Sequence, residues 1–440
     1  MINFRIFLCI VLTAVTAAAD STIPKSAKTG RVRVVDHSLV DDNGPFLGLG
    51  VSYFTALWRY YNDRPRLERD LAFLSQQGFN YTRVLSMVGW NRAWDGIEIA
   101  PIAFTSREGK KLGAWPDYWQ SLAGLVDLSY DRFGMRTQIT IFADAQLMPN
   151  KTDRIEHMRR LLSDVVAGRE HKIILLEVAN EAWQNGFPGD EGTADLREFT
   201  RYLAERTEVP IATTSNHEGS FEDLYRNSAA DIATWHFSRD RSADDGWRPI
   251  IDCRRLANVP GCPPASSNEP IGPGASVASE SDPVKLVLAA AYAYASRLPM
   301  VVFHSQAGVF GKTRFEETPA IRDHRHLMHI LPPDLANWTS LDGKDPASPV
   351  GAEGCLTMTC NISDNRIVCV PVGIRPEGLT LTARVSIHLR AVDLLTGNEL
   401  RRFHLNAGDR FTLSDTSRAL VLIGRVFTDK IRTKLKEDKP

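Results

Sequence analysis

The chain has 440 residues, of which 43% are hydrophobic and 24% charged, with a formal net charge of −1. That length admits a barrel of about 250–300 residues plus a smaller domain, and the composition is that of an ordinary soluble protein. The balanced charge gives no hint of nucleic acid or of an anionic membrane as partner.

The N-terminus reads as a targeting segment. Arg5 precedes a mostly apolar run at 6–15, and Ala17-Ala18-Ala19 offers a small-residue cleavage site. The run is shorter than the roughly 20 residues that span a bilayer. Residues 1–19 are therefore expected to be a signal peptide, and the mature chain to be secreted or periplasmic with no membrane partner. Cys9 lies in this segment, so five cysteines remain. Cys253 and Cys262 are the first candidates for a disulfide, and one of Cys355, Cys360 and Cys369 must be left over.

Residues 20–45 hold a short strand at 31–35 and a turn at 41–44. A strand is predicted at 46–51, then a helix at 65–77 with Leu67, Leu71 and Leu74 on one face and Gly78 as its stop. A second strand at 80–85 carries Arg83. A long connection with Trp90, Trp94 and Trp115 leads to a helix at 118–132, closed by Gly134. The third strand, 136–143, ends at Asp144, and a helix at 152–168 follows.

Residues 173–183 read IILLEVANEAW. Four large apolar residues in a row mark a strand buried on both faces. Glu177, Asn180 and Glu181 then end the run. Later strands are predicted at 210–214, at 232–235 leading to His236, at 264–268 leading to Glu269, and at 299–303 leading to His304. Strand and helix signals alternate about eight times, which predicts an α/β fold, a (β/α)8 TIM barrel over residues 20–338.

The pattern changes after about residue 340. A stretch rich in Asp, Gly and Pro at 342–354 reads as a linker. Short alternating runs at 366–370, 379–389, 401–405 and 420–426 predict a small C-terminal antiparallel β-sandwich over 345–428, with a charged tail at 429–440.

Glu181 and Glu269 would end the fourth and seventh barrel strands and project into one mouth, where such barrels place their chemistry. A retaining glycosidase needs two carboxyl groups about 5–5.5 Å apart, one to protonate the leaving oxygen and one to attack the sugar. Asp144, Glu218 and Glu280 are rivals for the second carboxylate. Glu177 shares the strand parity of Glu181 and reads as an internal ion-pairing group. Trp183 and Trp235 lie beside strand ends, where aromatic faces suit the C–H faces of sugars or ordinary packing. His324, His326 and His329 have no context that fixes a metal site, and no cofactor or metal is expected.

With Asn180-Glu181 after the fourth strand and Glu269 after the seventh, the chain resembles a clan A glycoside hydrolase, similar to the cellulase-like family 5. The resemblance implies Glu181 as acid/base and Glu269 as nucleophile. It implies that Arg83 hydrogen-bonds the nucleophile, that Asn180 holds a sugar 2-hydroxyl, and that His236 matches a His or Tyr beside them. Phe303-His304 departs from the Trp of many relatives, and the Glu269 context, SSNEPIGPG, departs from their Glu-Phe/Trp-Gly. The implied activity is a secreted retaining glycosidase acting on a β-linked oligo- or polysaccharide. The alternatives are a non-catalytic carbohydrate-binding protein on a degenerate barrel and an inverting or transferring enzyme. Oligomeric state is open.

Overall fold

The computed structural model describes residues 29–89, 97–106, 109–215, 221–274, 278–414 and 418–427. The signal segment, Trp90, Trp94, Glu218 and the charged tail lie outside the described residues. Eight parallel strands form one sheet: Gly48–Ser52 (β1), Tyr81–Leu85 (β2), Arg136–Phe142 (β3), Ile173–Ala179 (β4), Ile211–Thr214 (β5), Ala233–Trp235 (β6), Ala265–Ser267 (β7) and Met300–Phe303 (β8). Their order is β5-β4-β3-β2-β1-β8-β7-β6. They lie where the periodicity predicts them, except that β4 continues through Glu177 to Ala179.

The sheet closes into a barrel between β5 and β6. There the amides of Asp231 and Ile232 donate to the Ile211 carbonyl at 2.8 and 3.3 Å. The Tyr225 hydroxyl fills the remaining gap: it donates to Thr214 O at 2.6 Å and accepts from the amides of Thr214 and Thr234 at 3.0 and 3.1 Å. These contacts satisfy backbone groups that would otherwise be buried without partners.

Successive inward-facing positions along the strands stack the barrel interior into two halves. Tyr81, Leu175, Ala212, Met300 and Val302 form an apolar lower half with Leu39 and Phe46 of the N-terminal strands. Gly50 has no side chain because the Tyr81 ring occupies the space a Cβ would need. Arg83, Gln138, Thr140, Glu177, Ser215 and Asn268 form a buried polar upper half. Register fixes the layers: Ser52 pairs with Arg83, Arg83 with Gln138, and Thr140 with Glu177.

The helices end where their sequences say. Gly134 takes φ 63° and returns its N–H to the last turn of helix Tyr118–Phe133. Asp282 caps helix Pro283–Ala295 by accepting from Val284 N, with Pro283 in the first turn. Among the described residues no helix is long and apolar enough to cross a membrane.

The C-terminal region is a β-sandwich. A six-stranded antiparallel sheet runs Thr339–Asp342, Cys355–Ser363, Arg366–Ile374, Leu420–Phe427, Ser386–Asp393, Glu399–Leu405 in spatial order, and a three-stranded sheet of Val350–Glu353, Leu379–Ala383 and Arg410–Leu413 covers one face. Three expectations are corrected. The stretch read as a linker belongs to this domain, because strands Thr339–Asp342 and Val350–Glu353 pair into its sheets. The single run at 379–389 is two strands in different sheets. The expected Cys253–Cys262 bridge is absent: both thiols are free, and Cys253, buried in a short helical turn, donates to Ile250 O at 3.5 Å.

The other face of the six-stranded sheet packs on the barrel. Val368, Val370, Val372 and Val421 enter the barrel's outer core. Asn361 Nδ2 donates to Ala295 O at 2.6 Å, tying the sheet to the end of helix Pro283–Ala295.

Candidate active site

The site is built upward from the polar half of the barrel. Arg83 is fully buried and its guanidinium engages three residues. Nη1 donates to Glu269 Oε1 at 2.7 Å, Nε and Nη2 donate to Glu177 Oε2 at 3.1 and 3.0 Å, and Nη2 donates to Asn180 Oδ1 at 2.6 Å. Glu177 also accepts from Thr140 Oγ1 at 2.6 Å and Asn268 Nδ2 at 2.6 Å. A carboxylate that a buried strand would not otherwise tolerate is thus paired and hydrogen-bonded, which is the condition for burying charge.

Above this layer lie the two candidate carboxylates. An oxygen of Glu181, an oxygen of Glu269 and a ring nitrogen of His236 all lie within 4.8 Å of one another. His236 bridges the pair, with Nδ1 3.2 Å from Glu181 Oε1 and Nε2 3.6 Å from Glu269 Oε1. Glu269 has an 8% exposed side chain and Glu181 a 23% exposed one, so the second is the more open to solvent. Glu181 holds φ 40°, a left-handed conformation rare for a residue with a side chain. The turn is held by Gln184, whose amide donates to Glu181 O at 3.1 Å and whose Nε2 donates to Glu181 Oε2 at 2.5 Å. Such strain persists only where the surroundings enforce it, and it is commonest at functional sites.

Charge around Glu269 is asymmetric. Burial by itself would raise its carboxyl, but electrostatic attraction toward His236, Arg83, His304 and Arg239 together outweighs burial and holds it well below the usual carboxylate range. Burial lowers the His304 imidazole to about 3, with Glu269 only partly opposing this. His304 is therefore uncharged at neutral pH, and the two guanidiniums are the permanent charges. Arg239 donates to Glu269 O at 2.8 Å and lies 3.5 Å from Oε2. His304 Nδ1 is 2.8 Å from Ser52 Oγ, and its Nε2, 3.8 Å from Glu269 Oε2, has no hydrogen-bond partner among the described residues.

Arg83, Asn180, Glu181, His236, Glu269 and His304 thus converge. Arg83 fixes Asn180 with Oδ1 toward the guanidinium, which turns Nδ2 the other way. Trp235 does not converge. It alternates with His236 to the outer face of β6, where its ring meets Phe221 edge-on at 5.3 Å and lies under Arg255 at 5.5 Å. Trp183 is half-buried two residues beyond Glu181. Trp115 stacks on Tyr61 at 4.4 Å.

The described rivals are committed elsewhere. Asp144 accepts from Gly89 N at 3.1 Å and from Gln146, and Glu280 accepts from the amides of Ser281 and Asp282 at 2.9 and 3.1 Å. His324 is buried against Phe79 and Phe303. Glu181, His236 and Glu269 are the one grouping among the described residues with donor atoms close enough for a metal ion. Two guanidiniums already neutralise Glu269, and a dication there would face both, so the donor set fits a metal poorly. Ser52, Gln138, Thr140, Arg239 and Asn268 were not anticipated. Asn268 had a signal of position only, since it adjoins Glu269 at a strand end; Arg239 sits on an irregular loop and had none.

The chain shares its barrel-plus-sandwich fold with solved structures of glycoside hydrolases. A solved structure described as a glycoside hydrolase superposes with a TM-score of 0.65 at 12% identity, covering 90% of this chain and 97% of the other. A glycoside hydrolase family 5 structure from Bacteroides vulgatus gives 0.63 at 12% identity, covering 92% and 98%. A maltogenic α-amylase from Thermotoga neapolitana gives 0.55 at 11% identity, covering 87% and 99%. No family profile and no curated protein sequence matches the chain.

Proposed function

We propose that the protein is a retaining glycoside hydrolase. The observation that carries this is the closeness of Glu181 and Glu269, with carboxylate oxygens within 4.8 Å. Retaining enzymes hold their carboxyl groups about 5–5.5 Å apart, and inverting enzymes about 6.5–9.5 Å to admit a water. In this reading Glu269 attacks the anomeric carbon while Glu181 gives its proton to the leaving oxygen. Glu181 then takes a proton from water, which displaces Glu269 from the sugar. The environments suit these roles: Glu269 is buried and held ionised, and Glu181 faces the solvent that supplies the water. In this reading Asn180 Nδ2 holds a hydroxyl beside the reacting carbon, which the engagement of its Oδ1 by Arg83 supports. The substrate proposed is a β-linked oligo- or polysaccharide, and the site of action is outside the cytoplasm.

The test is turnover of a panel of aryl β-glycosides by wild type, Glu181→Gln and Glu269→Gln, with and without azide. Glu181→Gln is expected to lose about 10²–10⁴-fold and to regain turnover of an activated substrate with azide, giving a β-glycosyl azide. Glu269→Gln is expected to lose on the order of 10⁴-fold or more. Near-normal turnover by Glu269→Gln would remove it as nucleophile. A wild type that binds sugars but turns over none would leave a binding protein.

A further inference from the structure

The barrel-facing side of the six-stranded sheet changes character along its strands. Val368, Val370 and Val421 pack on the barrel, but the strands then overhang it, and the same face turns basic. Arg366 stands beside Arg425, Arg425 beside His388, and Arg390 beside Arg402, all as direct cross-strand neighbours. Like charges so placed cost stability unless something offsets them. Asp334 offsets Arg366 at 3.0 Å, and Glu399 offsets Arg402 at 2.8 Å. Among the described residues no carboxylate comes within ion-pair distance of Arg390 or Arg425.

These side chains line a groove of about 410 Å³ at the corner between sheet and barrel. Trp338 lines it on the barrel side, 3% exposed, and its Nε1 has no hydrogen-bond partner among the described residues. The Arg366 guanidinium lies over its ring at 4.5 Å. Guanidinium and indole groups donate hydrogen bonds and accept none. An occupant must therefore bring acceptors and negative charge. The guanidinium fork matches a carboxylate or sulfate two bonds at a time. The four arginines lie on four adjacent strands, with Arg390 and Arg402 two residues along from Arg366 and Arg425, and so form a stepped row about 14 Å across the strands at the usual spacing. A line of charge suits a polymer bearing an anionic group on successive units better than a single ion.

We propose that this groove binds an acidic polysaccharide, carboxylated or sulfated, and holds it beside the barrel. The choice of a glycan over other polyanions rests on the glycosidase reading. The test is affinity electrophoresis of the full chain through gels containing sodium polygalacturonate, dextran sulfate or uncharged dextran. Wild type should be retarded by one or both acidic polymers and not by dextran, and the gel that retards it tells carboxylate from sulfate. Loss of two charge-assisted contacts in Arg390→Glu/Arg425→Glu should weaken binding at least about tenfold, with aryl β-glycoside turnover unchanged. Trp338→Phe removes the N–H without altering charge and should weaken binding about two- to tenfold.

No retardation by either polymer, or equal retardation of the double variant, overturns the proposal. Binding lost on charge reversal but intact in Trp338→Phe would mean a diffuse cationic surface and also overturns the groove. So does co-flotation with phosphatidylcholine–phosphatidylglycerol vesicles without polysaccharide binding. The readout does not depend on turnover. A chain that binds but hydrolyses nothing would sink the glycosidase reading and leave the groove standing.

Discussion

Arg83 Nη1 lies 2.7 Å from Glu269 Oε1, and the same guanidinium holds Glu177 and Asn180. One cation thus links the polar interior of the barrel to the mouth. It balances Glu177 below and helps keep Glu269 ionised above, so structure and chemistry share a residue.

The first prediction concerns that cation. Arg83→Met leaves Glu177 buried without its partner, which should cost about 3–5 kcal/mol of stability. It also removes a donor from Glu269, with an expected loss of roughly 10²–10³-fold in kcat/KM. Thermal unfolding and aryl β-glycoside kinetics measure the two effects. An unchanged melting temperature would show that Glu177 finds compensation elsewhere.

Thr140→Val separates stability from chemistry. Its hydroxyl donates to Glu177 Oε2 at 2.6 Å and touches neither Glu181 nor Glu269. The buried acceptor left short of a donor should cost about 1–3 kcal/mol. Activity per folded molecule should fall far less than in Arg83→Met. Equal losses of activity in the two variants would show that Glu177 takes part in the reaction.

Arg239→Leu tests the charge around Glu269. The guanidinium lies 3.5 Å from Oε2 and favours the ionised carboxylate. Removing it raises the Glu269 pKa, because the charged form loses a stabilising neighbour. An ionised nucleophile is needed, so activity should fail at a higher pH than in wild type as acid is added. The acidic limb of kcat/KM against pH should move upward. A limb that stays in place would mean that Arg83 and the two neighbouring histidines set the ionisation without Arg239.

His157 and His324 should govern acid stability. Burial, with a smaller effect from Arg160, holds His157 at about 3, and burial, partly opposed by hydrogen bonding to Ala320 and Leu286, holds His324 at about 4. In the unfolded chain each titrates near 6.5. Between these values the unfolded chain binds more protons, so stability is full above about pH 6.5 and falls as pH drops through this window. His157 packs against Trp119 at 4.9 Å, and its Nε2 has no hydrogen-bond partner among the described residues. His157→Phe should therefore raise the melting temperature more at pH 5 than at pH 8. A gain that is equal at both values would trace to packing alone.

Much of the architecture was legible in the chain. The run Ile173-Ile174-Leu175-Leu176, the Leu67/Leu71/Leu74 face and the stops at Gly78 and Gly134 are local signals, because strand alternation, helix periodicity and left-handed glycines act over a few residues. Spacing alone also predicted that Glu181 and Glu269 share a mouth. The C-terminal strands are less legible. Leu379–Ala383 and Ser386–Asp393 look like one alternating run, and only pairing with different partners splits them between two sheets.

The sequence by itself determined the repeating strand–helix units and which acidic residues could stand at strand ends. Those features depend on near neighbours along the chain. Only the tertiary structure decided which side chains meet. It turned Trp235 outward and His236 inward, since one residue of offset reverses the face. It brought Arg83 from β2, Glu177 from β4 and Asn268 from beyond β7 to one point. It joined Arg366, Arg390, Arg402 and Arg425 across four strands, and it left Cys253 and Cys262 unbridged. Each of these depends on register and barrel closure, which set distances between residues far apart in the chain and which no local pattern encodes.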